Sequence, residues 1–194
     1  MSGWDKAPEY GGPPWRWWDY VWTIAVVVLI AFGIAYCSSQ ADAQSSQRPF
    51  SSLRNGERFG GIATVLDADT IRIDGQRVRL WGIDAPEIDQ ACSNRSVGIQ
   101  AAHHLATLMD GQRVTCEVKM RPNRGRAVAQ CWVNSRDLAA SVVDAGWAWD
   151  SPQFSRGYYA DLQQAAQSRR DGLWALPVCE APWDYRQERN RSGP

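Results

Sequence analysis

The stretch Gly61–Leu80 reads GIATVLDADTIRIDGQRVRL and decides the fold. Its β-branched residues alternate with polar ones, which is the pattern of strands that bury one face. The pair Asp74-Gly75 interrupts this alternation, and such a pair is typical of a two-residue hairpin turn. The stretch therefore predicts one strand followed by a β-hairpin.

The residues downstream alternate between helix and strand signals. Ser96–Asp110 carries apolar residues at helical spacing and predicts an amphipathic helix. Two further strands are predicted at Val114–Val118 and Ala127–Val133, and two closing helices at Leu138–Ala145 and about Tyr158–Arg170. A parallel sheet would need a helix between successive strands, so this order favours a closed barrel. The predicted fold class is α+β, mainly β, with a five-stranded OB-type β-barrel and three helices.

The charge balance restricts the kinds of ligand. The chain has 21 basic and 21 acidic residues, so its formal net charge is zero. This excludes a protein that holds nucleic acid through bulk positive charge, and any such affinity must be local. All basic residues except Lys6 and Lys119 are arginines, whose guanidinium groups suit bidentate contacts with phosphate.

The segment 20–36 reads YVWTIAVVVLIAFGIAY, contains no charge and overlaps a cluster of tryptophans, so we expect a transmembrane helix here. Two fates stay open. A retained anchor is favoured because the apolar run and the tail before it are long for a signal peptide. Cleavage after Ala41-Asp42-Ala43 would instead release a secreted protein. Arg16, close to the start of the segment, favours a cytoplasmic N-terminus and an exported domain, periplasmic or extracellular.

The chain is thus expected to have five parts. These are an N-terminal tail (1–19), the anchor or signal segment (20–36), a flexible linker rich in Ser, Gln and Arg (37–59), the folded domain (60–176) and a C-terminal tail (177–194). Nothing in the sequence suggests more than a monomer.

Three acidic residues follow the first predicted strands. Asp69 lies in LDADT, and Asp84 and Glu87 lie in IDAPE. Hard cations such as Ca²⁺ bind several oxygens, so Asp69, Asp84 and the backbone carbonyl of Ala85 are candidate metal ligands. Pro86 fixes the backbone before Glu87, whose carboxylate is a candidate to take a proton from an attacking water.

Two arginines complete this set. Arg79 lies in the predicted hairpin and Arg126 immediately precedes a later predicted strand. A phosphodiester gains negative charge on its equatorial oxygens when water attacks it, and fixed guanidinium groups stabilise that charge. Arg79 and Arg126 are therefore candidate phosphate ligands.

The spacing of these residues resembles that of the thermonuclease, or staphylococcal nuclease-like, family. The likeness covers roughly residues 61–174. The motifs that carry it are Asp67-Ala68-Asp69-Thr70, Arg79, Asp84-Ala85-Pro86-Glu87, Gly125-Arg126, Gly146-Trp147-Ala148 and Gly172-Leu173-Trp174.

The resemblance implies an OB barrel and a Ca²⁺-dependent nuclease that hydrolyses DNA, RNA or both. In this reading Asp69 and Asp84 bind the cation, Glu87 is the general base, and Arg79 and Arg126 contact the phosphate. The loop before Arg126 departs from the family pattern by placing an arginine at position 124, and Arg124 is thus a further candidate for substrate binding. The alternatives are an OB module that has lost activity and only binds nucleic acid or another partner, and an envelope protein with an interaction role.

Four cysteines lie in the predicted domain, which allows three pairings. Cys116 and Cys131 fall on the fourth and fifth predicted strands, and neighbouring antiparallel strands bring two side chains to disulfide distance. We expect that bridge and, by elimination, one between Cys92 and Cys179. The alternative is free thiols in a reducing cytosol.

Overall fold

The computed structural model describes residues 24–26, 28, 52–123 and 126–193, with the side chains of 121–123 left out. The chain divides into two compact units, Met1–Gln47 and Arg48–Pro194. Of the first unit only residues 24–26 and 28 are described, and they are helical. The predicted transmembrane segment 20–36 thus lies almost wholly outside the described residues. Within those residues no helix has the length and apolarity needed to cross a bilayer.

Five main strands of the second unit form a closed barrel, as predicted. The strands pair antiparallel in the order β3-β2-β1-β5-β6, and β3 then pairs with β6 in parallel to close the sheet. Closure leaves no free edge among these strands. Their bounds are β1 Arg58–Asp67, β2 Thr70–Ile73, β3 Gln76–Leu80, β5 Arg113–Asn123 and β6 Arg126–Val133.

The hairpin between β2 and β3 has the turn that the sequence predicts. Asp74 and Gly75 both have positive φ, 49° and 79°. This backbone is that of the two-residue turns that match the twist of paired strands. The turn sets a register in which Thr70 lies opposite Arg79.

The structure has more helices than the three predicted. The predicted ones correspond to α1 Val97–Met109, α2 Leu138–Asp144 and α4 Ala160–Arg169, and the additional ones are α3 Pro152–Ser155, α5 Pro182–Arg191 and a 3₁₀ helix, Gly172–Ala175. Short strands β4 Ile83–Asp84 and β8 Trp149–Asp150 pair with each other, and β7 Arg136–Asp137 extends the sheet beyond β6. Helix α5 forms in the segment expected to be a tail.

The barrel interior and α1 make the core. Ile71, Ile73 and Val78 are buried on β2 and β3. Helix α1 adds Ala101 and Leu105, which are four residues apart and so lie on one helical face. Truncating a buried leucine such as Leu105 to alanine costs roughly 2 to 5 kcal/mol, so this contact fixes α1 firmly against the barrel.

Two disulfides join the cysteine pairs expected from the sequence. Cys116 and Cys131 lie directly opposite each other on β5 and β6, with Cα atoms 4.1 Å apart. Cys92 is bonded to Cys179, which lies 87 residues away and shortly before α5. The second bridge fixes the start of the C-terminal segment to the loop that follows β4.

Candidate active site

The predicted site residues line one cavity of about 790 Å³ at a rim of the barrel. The acids Asp69, Asp84 and Glu87 are brought together there with Arg79 and Arg126. The cavity wall also includes Asp67 and Arg186. The site thus combines residues from β1, β3, β6, the loop around β4, and helix α5.

Asp69 is buried in the turn between β1 and β2. The register of these strands shifts between Val65 and Asp67, and such a bulge redirects the side chains that follow it. The carboxylate of Asp69 accepts hydrogen bonds from the Thr70 hydroxyl at 2.8 Å and from the Ala85 amide at 3.3 Å. Burial raises the pKa of Asp69, and the charge of Arg79 opposes that shift. These bonds hold the β1–β2 turn against the loop that carries Asp84.

Arg79 joins two of the acids. Its Nη2 atom lies 2.8 Å from Asp69 Oδ2 and 2.7 Å from Asp84 Oδ1. One nitrogen therefore contacts both carboxylates, which places them side by side. The side chain of Arg79 is 25% exposed, whereas those of Asp69 and Asp84 are 5% and 9% exposed. Arg79 thus neutralises two nearly buried charges and keeps one side towards the cavity.

Glu87 is half-buried, and its backbone is fixed from two sides. Its amide donates a hydrogen bond to Oε1 of the buried Gln90 at 3.3 Å. The first turn of α1 lies so close that a Cβ atom on Gly98 would collide with the Glu87 carbonyl oxygen. Only glycine permits this approach, and it holds the Glu87 segment beside the cavity.

Asp67 is a fourth acid of the site, to which the sequence reasoning assigned no role. Burial, followed by the charges of Asp69 and Glu87, raises the pKa of Asp67 to about 6. Its Oδ1 atom is buried and has no hydrogen-bond partner among the described residues. The signal was available, since Asp67 opens the same four-residue motif that contains Asp69.

Arg186 is the second residue that the sequence reasoning missed. Its Nη2 atom lies 2.6 Å from Asp84 Oδ2, and its Nη1 atom lies 2.8 Å from Glu87 Oε1. These ion pairs raise the pKa of Arg186 further, so it stays charged. It lies 102 residues after Asp84 on a helix without an apolar stripe, so no motif or periodicity pointed to it.

Arg126 begins β6 and lies opposite Arg77 of β3, where the barrel closes. It is exposed at the cavity wall, which leaves its guanidinium accessible to a ligand. The neighbouring candidate, Arg124, lies outside the described residues.

The acids fit a hard cation in their chemistry, because carboxylate oxygens are the ligands that Ca²⁺ and Mg²⁺ bind. The unpartnered buried oxygen of Asp67 and the adjoining carboxylates of Asp69 and Asp84 are suitable donors. However, the described residues contain no ready-formed cluster of three or more acidic, histidine or cysteine side chains that could hold a metal ion. Guanidinium groups lie on two of these acids instead: Arg79 contacts Asp69 and Asp84, and Arg186 contacts Asp84.

Comparison with known proteins identifies the family of the chain. Residues 77–176 match the family described as "Staphylococcal nuclease homologue". The chain belongs to this family. The expected resemblance is therefore confirmed, and the closed five-stranded barrel with its helices is the fold that this family membership supports.

The relatives that this chain resembles carry several names. The chain is 36% identical over 121 residues to the succinoglycan biosynthesis protein ExoI of Rhizobium meliloti (59% of this chain, 63% of ExoI). It is 33% identical over 150 residues to the protein ParB of Escherichia coli (69% of this chain, 82% of ParB). It is 29% identical over 144 residues to a micrococcal nuclease of Shigella flexneri (66% of this chain, 80% of that nuclease). The match thus spans less than two thirds of ExoI.

Proposed function

We propose that the chain is a Ca²⁺-dependent phosphodiester hydrolase that acts on DNA, RNA or both. The observation that carries the proposal is the convergence of Asp69 and Asp84 on one nitrogen of Arg79, in a cavity that Glu87 and Arg126 also line. Relatives named as nucleases support hydrolysis of nucleic acid. Family membership supports Ca²⁺ as the cation.

In the proposed reaction Glu87 takes a proton from water. The water oxygen forms a bond to phosphorus, and the bond from phosphorus to the leaving oxygen breaks. The leaving oxygen gains a proton from solvent, so the products are a phosphomonoester and an alcohol. Arg79 and Arg126 bind the phosphate oxygens and stabilise their growing negative charge. Arg124, two residues before Arg126 in the sequence, is a further candidate to add positive charge for substrate binding.

Asp69 and Asp84, with the backbone carbonyl of Ala85, would hold the cation, and Asp67 lines the same cavity. A bound Ca²⁺ would supply positive charge to the phosphate and orient the attacking water. The buried Oδ1 atom of Asp67 has no hydrogen-bond partner among the described residues, so a divalent cation could contact it.

A plasmid-degradation assay on the full chain tests the proposal. Supercoiled DNA and a single-stranded RNA would be incubated with Ca²⁺, Mg²⁺ or a chelator, and we expect cleavage only with a divalent cation. Glu87→Gln should lower kcat by roughly 10²- to 10⁴-fold, the usual contribution of a general base. The matched control, Asp161→Asn, removes an exposed acid of α4 and should retain the wild-type rate. Cleavage that persists in excess chelator would refute the metal dependence.

A second candidate is an OB module that binds nucleic acid without cleaving it. The observation that favours it is the engagement of Asp84 and Glu87 by Arg186, which leaves both acids paired. Relatives whose names mention no nuclease activity, such as ExoI and ParB, are consistent with it. Retarded migration of intact nucleic acid in a gel, with no cleavage under any metal condition, would favour this candidate.

For the location, we propose a single anchor at 20–36 with the domain exported, or secretion after cleavage near Ala43. The two disulfides support this, because such bonds persist in oxidising compartments. Proteolysis of intact spheroplasts tests it. An exported domain is degraded by external protease and a cytoplasmic one is protected, while fractionation separates the anchored from the secreted form.

A further inference from the structure

Arg186 occupies the oxygens that a bound cation would need. Oδ2 of Asp84 accepts from Arg186 Nη2 at 2.6 Å, and Oδ1 accepts from Arg186 Nη1 at 3.2 Å and from Arg79 Nη2 at 2.7 Å. Both oxygens of one candidate ligand thus already pair with positive charge. A guanidinium and a divalent cation on the same carboxylate oxygen repel each other strongly where solvent is largely excluded. Arg186 and a cation bound through Oδ2 of Asp84 are therefore alternatives, whereas Arg79 contacts Oδ1.

The C-terminal segment is tied to the acidic loop just before α5. Cys179 is bonded to Cys92, and the carbonyl of Glu180 accepts a 2.8 Å hydrogen bond from the Gln90 side chain. Gln90 also accepts the hydrogen bond of the Glu87 amide. Because Arg186 follows this tie by only a few residues, its effective concentration at Asp84 and Glu87 is high.

Helix α5 itself is weakly held. Of its ten residues only Pro182 is buried, and Trp183 is 45% exposed against the edge of Trp149. Its remaining ion pair, Arg189 with Asp89, is exposed at both ends. Exposed pairs contribute little, and segments with few apolar contacts open at low free energy. The helix can therefore leave the site while its start stays fixed by the disulfide.

We propose that Arg186 is an internal competitor for the divalent cation, and that α5 controls metal loading of the site by placing this guanidinium on Asp84 and Glu87. The inference rests on the metal site of the proposed function. In the paired state the candidate general base and a candidate metal ligand are both neutralised. Metal binding requires Arg186 to withdraw, and α5 to move with it.

Calorimetric titration of the full chain with Ca²⁺ tests the competition without relying on activity. Arg186→Gln removes the competing charge, and its Ca²⁺ affinity should rise on the order of ten- to a hundredfold, the equivalent of one charge-assisted hydrogen bond. The matched control, Arg189→Gln, removes the same charge from the same helix and should stay within roughly twofold of wild type. Arg186→Lys keeps the charge but loses the bidentate contact, and should bind Ca²⁺ with intermediate affinity.

Hydrogen–deuterium exchange gives a second readout on the wild-type chain. If Ca²⁺ displaces Arg186, the amides of residues 183–191 should exchange faster at saturating Ca²⁺ than in chelator. Unchanged protection of these amides at full Ca²⁺ occupancy would overturn the proposal. So would Ca²⁺ affinity in Arg186→Gln that equals or falls below that of the wild type.

The competition by Arg186 and the metal site itself would fail in different ways. If wild type and Arg186→Gln bind Ca²⁺ equally, the competition is wrong and the metal site stands. If neither binds Ca²⁺ and cleavage continues in chelator, the metal-dependent function is wrong, and the competition falls with it.

Discussion

Replacing Arg79 by glutamine separates its two expected roles, as counter-ion of buried acids and as phosphate ligand. The substitution removes the charge that contacts Asp69 at 2.8 Å and Asp84 at 2.7 Å. Breaking a buried ion pair by removing one partner costs about 3 to 5 kcal/mol. Asp84 keeps its pair with Arg186, and Arg79 is itself 25% exposed, so only Asp69 is left without a cation. We therefore expect Arg79→Gln to lower the free energy of unfolding by an amount at the lower end of this range, about 3 kcal/mol.

The loss should appear as a lower melting temperature in chelator. For a domain of about 150 residues, 1 kcal/mol corresponds to about 2 to 4 °C, so Arg79→Gln should lower Tm by roughly 6 to 12 °C. If Asp69 and Asp84 hold the cation as proposed, added Ca²⁺ should restore much of this stability, because it would supply charge to the same carboxylates. Activity should stay down on the order of 10²-fold, since the cation would not replace the guanidinium proposed to bind phosphate.

The matched control is Arg72→Gln, an exposed arginine on the neighbouring strand β2. It should leave both Tm and activity near wild type. Equal melting temperatures of Arg79→Gln and wild type in chelator would show that Asp69 does not depend on Arg79. Restoration of both stability and activity by Ca²⁺ would remove Arg79 from phosphate binding.

Two further predictions concern parts outside the site. Burial, followed by the charge of His103, lowers the pKa of His104 below 6.5. The unfolded chain therefore binds a proton at His104 more tightly than the folded chain does, so the free energy of unfolding should decrease as the pH falls below about 6.5. His104→Gln should flatten that part of the pH profile measured by urea denaturation. An unchanged slope of stability against pH in His104→Gln would contradict this prediction. Thiol reagents should modify at most Cys37 in the oxidised chain, and all five cysteines after reduction and unfolding. Rapid labelling of five cysteines without reductant would disprove the two disulfides.

The barrel could be predicted because its sequence signals are local. The alternation through β1 to β3 and the Asp74-Gly75 turn each specify conformation over a few residues. The apolar spacing of α1 gave its extent to within one residue at each end. The strand β5 is longer than predicted, Arg113–Asn123 rather than Val114–Val118. It continues past Val118 through shifts of register with β6, and its last residues include Pro122, a residue type typical of turns.

The C-terminal helix could not be predicted in the same way. Helix α5 has no apolar face, so the periodicity that identifies amphipathic helices is absent from its sequence. Its position depends on the bond between Cys92 and Cys179 and on the contact of Trp183 with Trp149. These contacts join residues far apart in the chain, so a sequence pattern over a few neighbouring residues does not predict them.

The sequence motif predicts the acids of the site but not the arginine that pairs with them. The motif specifies the donors, and the structure brings Asp69, Asp84 and Glu87 to one cavity. Carboxylate oxygens attract any positive charge, however, and both oxygens of Asp84 here accept from the chain's own Arg186, 102 residues further on. Relatives that share the acidic motif can therefore differ in metal affinity according to what their C-terminal segment places on the residue equivalent to Asp84. A member without such a cation should bind Ca²⁺ as tightly as Arg186→Gln does, and grafting residues 177–191 onto it should weaken that binding only if the arginine is included.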